Sequence, residues 1–305
     1  MVTLIENFRA VFYTPFYAAF ALKAYEAEGV EVRMETSSDA AKTLSTLKSG
    51  AGQVSWGGPM RLLHAHDDDP QCDVVSFCEV VGRDPFYLVG REPNPDFRMS
   101  TLPDCTLAEV NEVPTPWYCL QHDLRLAGVD PVTVKRAPGA GMADNLERLR
   151  RGEVDVIQVF EPLAHDAVAQ GFGHVWYAAA SRGPASYTTF NTTRAFLERD
   201  GDTALRMTRA IYRTQQWIAA HDGRALAEVV AGYFPDLPAA TLAACCERYK
   251  ASGIWNTEPL QQRAGVEWLR DAMLACGAIR RRIEFDELSD MRWAYRALRE
   301  APPSM

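Results

Sequence analysis

The sequence predicts an α/β protein of two lobes with a central cleft, joined by two crossing strands, and three observations predict it. Short β-like runs alternate with helix-length segments from the first residues onward. The same order returns about 101 residues later, marked by Thr14-Pro15-Phe16-Tyr17 and then Thr115-Pro116-Trp117-Tyr118. After about residue 193 come long amphipathic helices, with no further set of strand-to-helix loops.

In the first unit, VTLIENF reads as a strand and residues 15 to 28 as a helix, with Phe16, Phe20 and Tyr25 at helical spacing. Pro15 suits a first helical turn, and Gly29 suits the left-handed position past a helix end. VEVRME, QVSWG and VVSFCEVV read as further strands, separated by helices over 39–49 and 59–66.

The second unit follows a polar, Pro-containing stretch, REPNPDFRMSTLPDC. Strands are expected at Cys105 to Val113, Val132 to Arg136 and Val154 to Phe160, with helices over 116–127 and 142–151. Laid over the first unit, Ser38 meets the turn Gly139-Ala140-Gly141, Gly50 meets Gly152, and Pro59 meets Pro162. Two α/β units of similar loop lengths would align roughly in any case, but four matches in one order at nearly one offset favour a structural echo.

The C-terminal helices are expected to cover the first lobe after the chain crosses back. PFYLVG near 85 to 90 and YTTFN near 187 to 191 are the expected crossing strands. The first lobe then comprises 1–88 and 190–305, and the second 89–189. The overall class is α/β with parallel sheets.

At 305 residues and 47% hydrophobic composition, the chain has enough apolar mass for a core in each of two domains. With 32 basic and 40 acidic residues the formal charge is -8, which disfavours nucleic acid and anionic lipid as partners. No apolar run approaches the roughly 18 residues that span a bilayer, so membrane insertion is not expected. Seven cysteines without CxxC spacing argue against a zinc site and a complete disulfide framework. The chain as written is expected in the cytoplasm with reduced thiols, or in the periplasm if a leader has been trimmed. It is expected to be a monomer.

In open sheets, ligands bind beyond the carboxyl ends of strands, where loops lead into helices. Those loops are Phe12 to Phe16, Thr36 to Asp39, Trp56 to Pro59, Val113 to Trp117, Pro138 to Met142 and Phe160 to Pro162. Each helix start offers unpaired amides and a positive dipole end to an anion. Gly57-Gly58-Pro59 is the best formed, since glycines admit a ligand close to the backbone, although the pair could simply turn the chain. The amides of Gly57, Gly58 and Thr115 are the expected anion ligands. Trp56 and Trp117, at loop-to-helix junctions, are expected to stack on a flat or apolar body, although rings at these loops also serve as core packing. Tyr13 and Tyr187 are expected to hydrogen-bond the ligand. Arg9 and Arg61 are candidate charge partners that could equally be solvated surface residues.

No catalytic motif stands out. Gly139-Ala140-Gly141 does not complete GxGxxG, because Asp144 stands at the third glycine. His64 and His66 point to different helix faces, and Asp67-Asp68-Asp69 lacks the alternation of a calcium loop. No GxSxG, P-loop or HExxH occurs, and no cofactor, metal or catalytic residue is expected.

The opening strand, the aromatic-Pro loop, YEAEGVEVRM, LKSGAGQVSWGGP and LRRGEVDVIQVFEPLAHDAVAQGFG together resemble the solute-binding proteins of ABC importers for sulfonates, taurine and thiamine-pyrimidine precursors, the NMT1/THI5-like family. The resemblance spans most of residues 1 to 275. It implies a type II periplasmic-binding-protein fold whose lobes close by a hinge motion on a small molecule, and an ABC permease as partner. It also implies ligand contacts at Phe12, Tyr13 and Pro15, at Trp56, Gly57, Gly58 and Pro59, at Thr115, Pro116 and Trp117, at Glu161, and from Tyr187 to Asn191 on the returning strand. With the loop residues Ser38, Gly139 and Gly141, these make up the candidate site.

The expected function is binding of a small anionic organic molecule, a sulfonate, aromatic carboxylate or pyrimidine-like compound. The alternative is a cytoplasmic enzyme on the same fold, like a pyrimidine synthase, a desulfinase or a decarboxylase. A desulfinase of this kind uses a cysteine in the first cleft loop, where this chain has Phe12-Tyr13-Thr14-Pro15. An unrecognised enzyme would need a titratable group in the cleft, with Glu161 and Asp39 the nearest, although Glu161-Pro162 could instead only shape its loop.

Overall fold

A computed structural model describes residues 1–39, 42–303 and 305. Two five-stranded sheets organise the chain. The first orders its strands β2-β1-β3-β10-β4, from Val2–Glu6 (β1), Val32–Thr36 (β2), Val54–Gly57 (β3), Val74–Val81 (β4) and Thr188–Thr193 (β10). The second orders β7-β6-β8-β5-β9, from Tyr87–Gly90 (β5), Thr106–Ala108 (β6), Lys135–Arg136 (β7), Val156–Val159 (β8) and His174–Ala178 (β9).

The expected α/β class is borne out, with one correction. The sheets are mixed, because each crossing strand runs against its neighbours: β5 pairs antiparallel with β8 and β9, and β10 with β3 and β4. Each crossing strand lies inside its sheet, β5 between β8 and β9 and β10 between β3 and β4. The remaining pairs, β1 with β2 and β3, and β6 with β7 and β8, are parallel as expected.

The helices fall near their expected places. Thr14–Ala21 (α1) and Ala24–Ala27 (α2) replace one continuous helix, because Lys23 adopts the left-handed conformation at φ +55°. Thr43–Lys48 (α3) lies within the expected 39–49 span, of which Ala40 and Ala41 lie outside the described residues. Pro59–Asp68 (α4), Thr115–Leu126 (α5) and Met142–Arg150 (α6) follow the predicted starts. Gly29, Gly50, Gly128 and Gly152 all take positive φ, at +67°, +76°, +77° and +72°, so the helix-ending glycines echo between the two units. Leu163–Ala169 (α7) precedes β9.

The C-terminal portion comprises Arg194–Arg199 (α8), Gly201–Ala220 (α9), Gly223–Val230 (α10), Ala239–Ala251 (α11), Arg263–Ala275 (α12), Phe285–Leu288 (α13) and Arg292–Glu300 (α14). It does not confine itself to the first sheet. α11 packs on the loop before α1 and also on α7, and α12 packs on α4 and also on α5. Trp268 of α12 illustrates the bridge, covering both His122 and the guanidinium of Arg182, which itself pairs with Asp84 and Asp123.

Candidate functional site

A small cavity of about 30 Å³ lies where the carboxyl ends of the two sheets meet. Asn7, Phe8, Phe12 and Tyr13 reach it from the loop after β1, and Gly58, Met60 and Arg61 from the start of α4. Val113 and Thr115 reach it from the second unit, and Phe86 and Tyr187 from the crossing segments. Phe12 meets Phe160 edge-on at 5.4 Å, and Phe86 meets the same ring at 5.2 Å, so aromatic contacts close the floor between the two units.

The polar wall is electropositive. Arg61 is half-buried, its Nε is fully enclosed without a hydrogen bond, and no carboxylate among the described residues pairs with it in a salt bridge. Burial lowers its pKa, while Tyr13 and Asp39 favour its charge. Tyr187 is 7% exposed and its buried hydroxyl has no hydrogen-bond partner among the described residues. Tyr13 is buried, its hydroxyl flanked by Asn7 and Thr188, and burial raises its pKa, so it stays a neutral donor. The Asn7 amide is oriented by Thr43 Oγ1, which donates to Asn7 Oδ1 at 2.7 Å.

Two helix starts face this cavity. α4 begins after Gly58 with Pro59 in its first turn, and α5 begins at Thr115 with Pro116. Neither first turn holds an acidic residue, so their free amides and dipoles add to the positive field of Arg61. Among the residues lining the cavity there is no carboxylate, imidazole or thiol.

Of the residues expected at the site, Phe12, Tyr13, Gly58, Thr115 and Tyr187 line the cavity. Pro15, Pro59 and Pro116 do not; they set the helix starts beside it, and Tyr13 and Thr115, each next to one of these prolines, line it instead. Gly57 closes the β3 ladder opposite Thr189, and a Cβ there would come within 2.4 Å of Asn7 Nδ2, so its lack of a side chain makes room for a protein amide and not for a ligand.

The expected roles of both tryptophans are corrected. Trp56 is 0% exposed and stacks on Phe16 at 4.6 Å, one layer beneath the cavity. Trp117 packs with the apolar cluster of Leu107, Leu120 and Leu124, with Arg136 over its ring at 4.9 Å. Trp56 is a β3 residue whose ring falls on the face packed against α1, and Trp117, inside the first turn of α5, falls on the face packed against the second sheet, so neither ring lines the cavity.

Other expected contacts are already satisfied by protein. Glu112 Oε1 accepts from the Met142 amide at 2.8 Å, so a carboxylate occupies the helix start after Gly139 and Gly141. Glu161 is 0% exposed outside the cavity: its Oε2 accepts from the His165 amide at 2.8 Å and its Oε1 lies 3.0 Å from Arg248 Nε. Burial raises its pKa and Arg248 opposes the rise. Ser38 is exposed beyond the cavity lining, and Asn191 is buried in β10, its amide turned to Gly57 O and Thr189. Arg9 is held by Glu6 through two hydrogen bonds.

Sequence reading missed Asn7, Phe8, Met60 and Phe86. Asn7 carries a usable signal, a polar amide at the carboxyl end of the first strand, where the loop to α1 begins; the others read as core.

The two-unit fold with antiparallel crossing strands and a cleft between the sheets is the type II periplasmic-binding-protein fold. Residues 91–231 match the NMT1-like family, so the family resemblance read in the sequence is borne out. A relative from Bacillus subtilis (strain 168), named as a binding protein, YtlA, is 25% identical over 289 residues, covering 94% of this chain and 86% of its own length. The periplasmic aliphatic sulphonate binding protein SsuA from Escherichia coli superposes with a TM-score of 0.76 at 14% identity, over 94% of this chain and 96% of that one. The desulfurization enzyme DSZB superposes with a TM-score of 0.71 at 12% identity, over 99% of this chain and 100% of that one. The fold alone therefore accommodates both binding and catalysis.

Proposed function

We propose that this chain is a solute-binding protein whose lobes, 1–88 with 190–305 and 89–189, close on a small organic anion and present it to an ABC permease. The observation that carries the reading is the cavity itself: Arg61 without a salt-bridge carboxylate, an unpartnered Tyr187 hydroxyl and two acid-free helix starts converge from both units, with no carboxylate to repel an anion. The names of YtlA and SsuA support the same reading.

A sulfonate or carboxylate head suits these donors. Contacts from both units would stabilise the closed form in proportion to the ligand's preference for it. The lining also favours binding over chemistry, since Tyr13, Tyr187 and Arg61 are its titratable groups and none titrates near neutral pH in ordinary surroundings. No helix among the described residues is long and apolar enough to cross a membrane, so association with a permease would be peripheral.

A thermal-shift screen of sulfonates, aromatic carboxylates and pyrimidines tests the proposal, because a ligand at 100 times its Kd stabilises by about 2.7 kcal/mol. Arg61→Ala is expected to weaken the hit by roughly tenfold or more. Hits confined to neutral or cationic compounds would refute anion binding, and chemical conversion of a hit by the protein would establish the enzymatic alternative. Fractionation of the native host would decide between cytoplasm and periplasm.

A further inference from the structure

The inner cavity is too small for a whole organic ligand. At about 30 Å³ it has room for roughly two waters, enough for head-group oxygens and not for an organic body. Beyond it lies a larger chamber of about 350 Å³, within the range of ligand sites. Met60 and Arg61 line both spaces, so the two adjoin at these side chains. On the opposite wall the chain alternates, with Val113 and Thr115 at the cavity and Pro114 at the chamber.

We infer that this chamber is an outer subsite, walled by Leu44, His64, Ala65 and Pro114, which receives the uncharged body of a ligand whose anionic head occupies the inner cavity. This rests on the anion reading of the cavity and extends it to the rest of the molecule bound. Leu44, Met60, Ala65 and Pro114 supply the apolar lining. His64 is half-buried, and burial lowers its pKa despite Asp67 and Asp68, so it faces the chamber as a neutral imidazole near neutral pH. Asp68 stands exposed at the rim, 3.8 Å from Arg280. With Arg280 beside Asp68, it is the apolar lining that disfavours a second anionic group, which would lose hydration at the far end of the ligand. The substrate class is therefore a monoanion with a short apolar chain or ring, and not a diacid.

Calorimetric titration with methanesulfonate, butanesulfonate, hexanesulfonate, butanedisulfonate and the matching carboxylates tests the subsite. Each methylene buried in the chamber should raise affinity about fourfold. Butanedisulfonate should bind more weakly than butanesulfonate. In Ala65→Trp, whose indole would fill the chamber, the affinity ratio of hexanesulfonate to methanesulfonate should collapse towards one; Leu44→Ser, a milder change, should lower the same ratio in a protein whose melting confirms its fold.

Affinity independent of chain length, or a ratio unchanged in both variants, would overturn the subsite while leaving anion binding in place. Failure of every sulfonate and carboxylate to bind would overturn the anion reading and the subsite with it.

Discussion

Asn256 Nδ2 donates to Glu79 Oε2 at 2.7 Å, joining the end of β4 to a loop 177 residues further along. Ser186 Oγ donates to the other oxygen, and the Gln262 amide adds a bond of 3.3 Å. Gln215 of α9 reaches the backbone oxygen of the same residue, and Cys78 is its neighbour on the strand. None of these groups is a cation, so Glu79 is a buried carboxylate with donors and, among the described residues, no salt-bridge counter-ion, next to the crossing strand β10 that Tyr187 leads into.

Burial pushes the Glu79 pKa up to about 7 despite its donors. The folded protein thus holds this proton more tightly than the unfolded chain. Its stabilising effect is complete below the ordinary carboxylate pKa and is lost as pH rises through about 7, a change on the order of 3 kcal/mol. Glu79→Gln mimics the protonated form. The difference between wild-type and Glu79→Gln stability, measured by urea titration from pH 5 to 8.5, should shift in favour of the variant as pH rises; a constant difference would show that Glu79 does not titrate in this range.

Tyr187→Phe should separate stability from binding. Removing a buried hydroxyl that has no partner should leave the unliganded protein as stable or about 1 kcal/mol more so. Affinity for the anion should fall roughly tenfold. A drop in unliganded stability, with affinity intact, would mean that the hydroxyl serves the fold.

The two tryptophans should behave differently from one another. Trp56→Ala should cost about 3–5 kcal/mol, as expected for a fully buried aromatic stacked in the core. Trp117→Ala should lose its contact with Arg136, worth about 0.5–1 kcal/mol, plus part of its packing, and leave ligand affinity unchanged. Chemical denaturation and calorimetry on the same samples check both.

Glu161 and Arg248 should prove coupled. A double-mutant cycle with Glu161→Gln and Arg248→Ala should return about 1 kcal/mol of interaction energy, because the carboxylate is fully buried and the arginine is not. Additive effects would show the pair to be incidental. Neither substitution should act on the ligand directly, since both side chains lie outside the cavity.

The parts of this molecule governed by local chemistry were legible in its sequence. Pro15, Pro59 and Pro116 marked helix starts, and Gly29, Gly50 and Gly152 marked helix ends, because fixed φ and freedom at positive φ belong to the residue itself. Tyr13, Gly58 and Thr115 were found through those starts. What depends on distant partners was not legible. Glu161 reads like an acid poised at a loop, and only the arrival of Arg248 and Tyr249 on α11 shows that protein groups already occupy it. Trp56 reads like a ligand platform until Phe16 and Tyr17 pack against it. Phe86 looks like any strand residue, and reaches the cavity because a crossing strand begins beside it.

The double allegiance of α11 and α12 has a consequence for cooperativity. The stretch 91–231 ends before either helix begins, so expressed alone it would lack the surfaces that cover α5 and α7. With those helices present, neither half can melt without stripping apolar area from the other. Heating the whole chain should therefore give one heat-absorption peak, with equal calorimetric and van't Hoff enthalpies, in a molecule that nonetheless carries two sheets.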